Sequence, residues 1–247
     1  YIQSFPTRRS SDLIKLQSSI NIIRDHSKSV NYIPTPNAVR VANFIVEEFD
    51  RGIHSFNLIG SYGTGKSSFL WAFNKSINEE NNENFFEFDT HNKRTTAFIN
   101  IVGEYNSLID YFKTLFSIEN KLKGNQEILD CLYNQYETVR EKNGILLICI
   151  DEFGKFLEYA SEHNPEKEMY FIQQLAEFVN DSNRNILLLT SVHQAIDAYA
   201  HNLTDFQKNE WKKVKGRLYE IAFNEPVEQL LYLASQQIGR ASWRVRV

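Results

Sequence analysis

The run Gly60-Ser61-Tyr62-Gly63-Thr64-Gly65-Lys66-Ser67-Ser68 carries the strongest chemical signal in the chain. Its pattern is G-x-x-x-x-G-K-[ST], a spacing that wraps backbone around a phosphate with N–H groups pointing inward. Several positions then need conformations that glycine adopts cheaply. A helix that follows offers free N–H groups and a positive dipole end to the same anion. On this reading Lys66 reaches the β- and γ-phosphates and the Ser67 hydroxyl binds Mg²⁺.

A second signal is Ile145-Leu146-Leu147-Ile148-Cys149-Ile150-Asp151-Glu152, an apolar strand that ends in two carboxylates. Acids just past the C-terminal end of a parallel strand sit at the ligand-binding edge of an open α/β sheet. Asp151 would hold Mg²⁺ through a coordinated water. Glu152 would lie near the γ-phosphate as general base for an attacking water. The alternative is an acidic cap for a helix that begins near Phe153.

Both signals need a scaffold, and the patterning supplies one. Five runs read as strands: Phe56 to Ile59, Ala97 to Val102, Ile145 to Ile150, Ile186 to Val192 and Arg217 to Phe223. The third and fourth are continuously apolar, as expected of central strands covered on both faces. Stretches of helical period alternate with them, which predicts an α/β architecture with a mostly parallel sheet. Thr35-Pro36 opens one helix, with Thr35 as N-cap and Pro36 at the first position. The phosphate loop leads into another, Lys66 to Ile77, with Phe69, Leu70, Phe73 and Ile77 on one face. Two more are marked by Leu108, Ile109, Phe112, Leu115 and Phe116, and by Ile128, Leu129, Leu132, Tyr136 and Val139. Asn164-Pro165-Glu166 starts a fifth, with Asn164 as N-cap and acids in its first turn. Asn78 to Thr96, rich in Asn and Glu, reads as a surface excursion around Phe85-Phe86.

Composition bounds the class. The 247 residues are 42% apolar and 23% charged, enough to bury a substantial core. The longest apolar run, Ile145 to Ile150, falls far short of the ~20 residues of a membrane span, so no membrane crossing is expected. Cys131 and Cys149 lack metal-ligand spacing, which fits a reducing, cytoplasmic compartment. Thr7-Arg8-Arg9-Ser10-Ser11-Asp12-Leu13 looks like the translation of a short-read sequencing adaptor. The tail Ile238 to Val247 resembles the opposite adaptor. We therefore expect an assembly fragment with non-native ends. The whole chain has a net charge of -4. Without residues 1–12 and 238–247 the count is 22 basic against 30 acidic residues, a net charge of -8. An acidic body offers no broad footprint for a phosphate backbone.

With these two motifs the chain resembles ASCE-division P-loop ATPases, in which a glutamate directly follows the Mg²⁺-associated aspartate. Within that division it is similar to AAA+ and STAND ATPases, of the kind found as ATP-binding proteins in large bacterial chains. The resemblance covers about residues 30 to 237. It implies a three-layer α/β/α sandwich around a mostly parallel five-stranded sheet in the order 5-1-4-3-2. It divides the chain into an N-terminal segment (1–29, partly non-native), an ATPase core (30–224), the start of a truncated helical lid (225–237) and a non-native tail (238–247). It implies ATP and Mg²⁺ as ligands, with Gly60 to Ser68 holding nucleotide, Ser67 and Asp151 the metal, and Lys66 and Glu152 acting in catalysis.

The same resemblance implies a polar residue at the end of the fourth strand that orients the attacking water. Thr190 and Ser191 are the candidates, with His193 and Gln194 behind them; either hydroxyl could instead cap the next helix. Arg217 stands where such assemblies place an arginine that reaches a neighbouring subunit's γ-phosphate, yet its position also suits a structural salt bridge. Lys208, Lys212 and Lys215 share one helical face, which suits either nucleic acid or plain solvation. The leading expectation is a Mg²⁺-dependent ATPase that powers or switches a larger protein through other domains or subunits. The alternatives are a nucleic-acid-dependent motor and a nucleotide-binding switch with little hydrolysis. A GTPase is disfavoured, because Asn120-Lys121-Leu122-Lys123 has lysine where guanine reading needs aspartate. A small-molecule kinase is disfavoured because no substrate-binding insertion stands out and Glu152 suits water activation better. Nucleophilic serine chemistry has no G-x-S-x-G to stand on.

Overall fold

A computed structural model describes residues 20–28, 30, 32–79, 83–88, 94–119, 124–181, 183–201 and 203–224. The chain runs α1 (Pro36–Asp50), β1 (Ser55–Ile59), α2 (Lys66–Ile77), β2 (Thr96–Val102), α3 (Leu108–Leu115) and α4 (Asn125–Arg140). It continues with β3 (Ile145–Asp151), α5 (Gly154–Glu162), α6 (Pro165–Val179), β4 (Ile186–Val192), a 3₁₀ turn (Ile196–Ala200), α7 (Asp205–Lys215) and β5 (Tyr219–Ala222). The strands form one sheet in the order β2-β3-β4-β1-β5, every neighbouring pair parallel. This is the expected order read from the other edge. All strand C-termini therefore lie along one edge, where the phosphate loop and the acidic pair also fall.

Strand alternation sorts the core into two layers. Leu146, Ile148, Ile150, Ile186 and Leu188 face α3 to α7. Ile145, Leu147, Cys149, Leu187 and Leu189 face α1 and α2. The result is a three-layer α/β/α sandwich. Parallel strands covered on both faces must be apolar throughout, and β3 and β4 are buried at every position.

Side chains cap α1, α3 and α7. The Thr35 hydroxyl accepts from the Ala38 N–H at 3.0 Å with Pro36 in the first turn, as expected. Asn164 departs from expectation: it is left-handed (φ 52°) and its side chain does not cap α6. The chain leaves α5 at Glu162 and must reverse at once, and Asn tolerates that conformation. Of the first-turn acids, Glu168 turns inward, 4% exposed, and accepts from the Ser107 hydroxyl at 2.5 Å. Burial raises its pKa.

Two segments outside the main elements belong to the core. The Asn78–Thr96 stretch was expected on the surface, yet Phe86 is fully buried against Phe69 and Phe88 is nearly so. A stretch poor in apolar residues is still held by two aromatic rings, each worth about 1.5–3 kcal/mol on burial. Residues 20–28 pack against α2: Ile22 is fully buried and the Trp71 indole donates to the Asp25 carbonyl at 2.9 Å. The expected lid (225–237), the tail (238–247) and the adaptor-like start lie outside the described residues.

Candidate functional site

Residues 60–65 join the C-terminal end of β1 to the N-terminal end of α2. The Gly60 N–H donates to the Val192 carbonyl at 3.2 Å, which ties the loop to the end of β4. Gly63 (φ 79°) and Gly65 (φ 86°) take left-handed conformations that side chains strain to adopt. The turn is closed by the Thr64 hydroxyl on the Ser61 carbonyl at 2.9 Å. Like α4 to α6, α2 has no side-chain cap; its open N–H groups follow the glycine loop directly. The Lys66 ammonium folds back onto the carbonyls of Gly60 (2.6 Å) and Ser61 (2.9 Å). Burial lowers its pKa, and the nearby carboxylates of Asp151 and Glu152 oppose that shift.

The acidic pair meets the loop from β3. Asp151 ends that strand at 4% exposure and Glu152 follows in the left-handed region at φ 55°. That turn carries the Glu152 side chain to the rim of the site, where its carboxylate forms an ion pair with Lys155 in the first turn of α5. The Asp151 side chain accepts from the Ser191 hydroxyl (2.5 Å) and the Glu152 N–H (3.1 Å), both at Oδ1. Oδ2 is left for a cation. Ser67 on α2 faces the same space, so a hydroxyl and a carboxylate oxygen converge there. These are hard donors of the kind Mg²⁺ takes alongside waters and phosphate oxygens.

Tyr62, Gly63, Gly65, Lys66, Ser67 and Ser68 line one side of a cavity of about 280 Å³. Asp151, Glu152, Ser191, Val192 and His193 line the other, and Ile20 closes a corner. Gly60, Ser61 and Thr64 are set back from it, the first two acting through the carbonyls that hold Lys66. Thr190 is not brought to the site. Alternation turns it to the opposite face of the sheet, where its hydroxyl donates to Asn57 Oδ1 at 2.8 Å and is fully buried. Ser191, one residue on, faces Asp151.

His193 stacks on Tyr62 with ring centroids 4.6 Å apart and stands 3.8 Å from a Glu158 carboxylate oxygen. Neither this stack nor the Lys155 pair was foreseen; the i,i+3 spacing of Glu152 and Lys155 was the available signal. Arg217 lies at the other end of the sheet, bonded to Glu177 (2.5 Å) and to the Lys213 carbonyl (2.9 Å). On α7, Lys208 stands 3.9 Å from Asp205 and Lys215 pairs with Asp197.

The sheet order, the parallel pairing and the glycine loop between β1 and α2 define the fold as that of the ASCE P-loop ATPases, in its AAA+ form. Among solved structures the chain is similar to the ORC2 protein of Aeropyrum pernix in ADPNP–ADP complexes, at 15% identity and a TM-score of 0.50. That match covers 78% of this chain and 50% of the other, so the chain spans about half the length of that relative. Similarity extends to PCH-2 of C. elegans (16% identity, TM-score 0.47, covering 78% of this chain and 45% of that one). A third likeness is to domain III of the Thermotoga maritima replication initiation protein DnaA (13% identity, TM-score 0.42, covering 79% and 65%). No protein-family model and no curated protein matches the sequence.

Proposed function

We propose that this chain is the Mg²⁺-dependent ATP-binding and ATP-hydrolysing module of a larger protein, with residues 30–224 as its core and 225–237 beginning a lid. The observation that carries the reading is the convergence of Lys66, Ser67, Asp151 and Glu152 on one cavity at the C-terminal edge of the sheet. The ADPNP and ADP complexes of the ORC2 neighbour support a nucleotide as the ligand.

The chemistry follows from the residues. The loop N–H groups and the start of α2 cradle the phosphates, and Lys66 leaves its carbonyl partners to reach the β- and γ-oxygens. Ser67 and Asp151 hold Mg²⁺, which when bound neutralises charge that develops on the phosphates. Glu152 orients a water and takes its proton as the water oxygen bonds to the γ-phosphorus. The bond to the bridging oxygen breaks, and ADP leaves with that electron pair. Ser191 orients Asp151. The cavity holds the phosphate end, and the nucleoside extends beyond it.

The ion pair between Lys155 and Glu152 favours a second reading, a nucleotide-dependent switch that hydrolyses slowly until a partner frees the carboxylate. The module then acts through other domains or subunits of a cytoplasmic assembly. Nucleic acid is the less favoured partner, because the body is acidic and two of the three lysines on the α7 face stand near carboxylates.

The test compares Mg²⁺-ATP hydrolysis by the wild type and Glu152→Gln. Turnover falls by roughly two or more orders of magnitude, as expected for loss of a general base, while ATP binding persists. Equal turnover in the two proteins removes Glu152 from the mechanism.

A further inference from the structure

The resemblance implies that a hydroxyl at the end of β4 orients the attacking water. The hydrogen bonds of Ser191 point elsewhere. A serine hydroxyl has one proton, and Ser191 gives it to Asp151 Oδ1 at 2.5 Å. Ser191 Oγ in turn accepts the Glu152 N–H at 3.0 Å, and the Ser191 carbonyl accepts the Phe153 N–H at 2.8 Å. Three consecutive residues of the acidic turn are thus tied to one residue that is 1% exposed.

The turn needs such a tie. Glu152 holds φ 55°, a conformation that a non-glycine residue keeps only where its surroundings impose it. From the other side, the Gly103 N–H donates to the Asp151 carbonyl at 2.7 Å. A Cβ on Gly103 would stand 2.1 Å from the Glu152 carbonyl oxygen. The turn is therefore gripped between β4 and the end of β2. Thr190 cannot substitute, since its hydroxyl faces Asn57 across the sheet.

We propose that Ser191 is a positioning residue, one that acts through the two carboxylates and makes no contact with nucleotide. By occupying Asp151 Oδ1 it presents Oδ2 to the cation. By holding the Glu152 N–H it keeps the left-handed turn that projects the Glu152 carboxylate into the cavity. The catalytic consequence rests on the Mg²⁺-ATP reading of the site; the grip on the turn does not.

The experiment uses the full chain as wild type, Ser191→Ala, Ser191→Thr and Thr190→Val. Amide hydrogen exchange without nucleotide reads the turn directly. In Ser191→Ala the Glu152 amide exchanges about tenfold faster, the loss of one buried hydrogen bond. In Ser191→Thr and Thr190→Val it keeps the wild-type rate. With ATP and Mg²⁺, kcat of Ser191→Ala falls about 10- to 100-fold, as for other partners of metal ligands. Its Kd for ATP in EDTA stays within about twofold of wild type. Ser191→Thr restores turnover. Unchanged exchange at Glu152 in Ser191→Ala overturns the proposal. So does an ATP affinity in EDTA that falls as far as kcat, which places the hydroxyl on the nucleotide. A wild type that binds no ATP defeats the functional reading alone, and the exchange comparison still decides the role of Ser191.

Discussion

The two ends of the sheet use similar polar residues to opposite effect. At the N-terminal end, the Ser55 hydroxyl lies 2.6 Å from the Arg217 carbonyl and 2.9 Å from Asn180 Oδ1. Asn180 Nδ2 donates to the same carbonyl at 3.0 Å, His54 Nδ1 meets the Val179 carbonyl at 3.0 Å, and Arg217 pairs with Glu177. These groups satisfy one another and tie β1, β5 and α6 together. At the C-terminal end, Lys66 rests on carbonyls of its own loop, Asp151 keeps one oxygen uncommitted, and Glu152 sits in a left-handed turn. Polar residues at strand ends are therefore read best by where their hydrogen-bonding capacity goes. Closed sets stabilise, and open ones at the loop edge do chemistry.

Substitutions at the two ends should separate cleanly. Gly103→Ala forces a Cβ against the Glu152 carbonyl and moves the catalytic turn. Hydrolysis should fall about 100-fold, as for a displacement near 1 Å, with ATP binding in EDTA retained; full activity would show that the turn is not held where we place it. Asn180→Ala at the far end removes one hydrogen bond each from Ser55 and the Arg217 carbonyl and takes the acceptor from the His54 N–H. It should lower unfolding free energy by about 1–3 kcal/mol in a denaturant titration without changing ATP affinity. A loss of affinity there would break the division between the ends.

His54 gives a smaller effect with a defined sign. Burial lowers its pKa, against the Val179 carbonyl and Asp181, which raise it. The unfolded chain then binds the proton more readily, so stability present above the ordinary histidine value near 6.5 is lost as pH falls through it. Tm should drop between pH 7.5 and 5.5, and His54→Gln should flatten part of the slope. His26 supplies another part, lowered by burial and by Lys75. The smallest effect belongs to Arg217→Ala, an exposed pair worth about 0–1 kcal/mol. Hydrolysis should be unchanged; a collapse of turnover in the assembled protein would make Arg217 a trans-acting residue and refute its structural assignment.

Much of this was legible in sequence, for identifiable reasons. The strands were found to within two residues because their apolar runs are bounded by polar turns. The glycine loop and the acidic pair were found because their chemistry demands those residue types at that spacing. The choice between Thr190 and Ser191 was not legible. β4 is buried on both faces, so its apolar pattern carries no parity, and parity alone decides which hydroxyl meets Asp151. Phe86 was missed because the surrounding stretch is rich in Asn and Glu and its partners, Phe69 and Tyr32, are distant in sequence. Asn164 was taken for a side-chain cap because the residue types suit one; the short connection from α5 imposed a left-handed turn instead.

The central claim is that the loop ending in Lys66 and the pair Asp151–Glu152 form one Mg²⁺-ATP site. Its most direct test is a calorimetric titration of ATP, with Mg²⁺ and with EDTA, into the wild type and Lys66→Ala. The account predicts saturable binding to the wild type that Mg²⁺ strengthens and that Lys66→Ala abolishes, with both proteins folded by circular dichroism. Equal binding by the two proteins would contradict it, as would a folded wild type that binds no ATP.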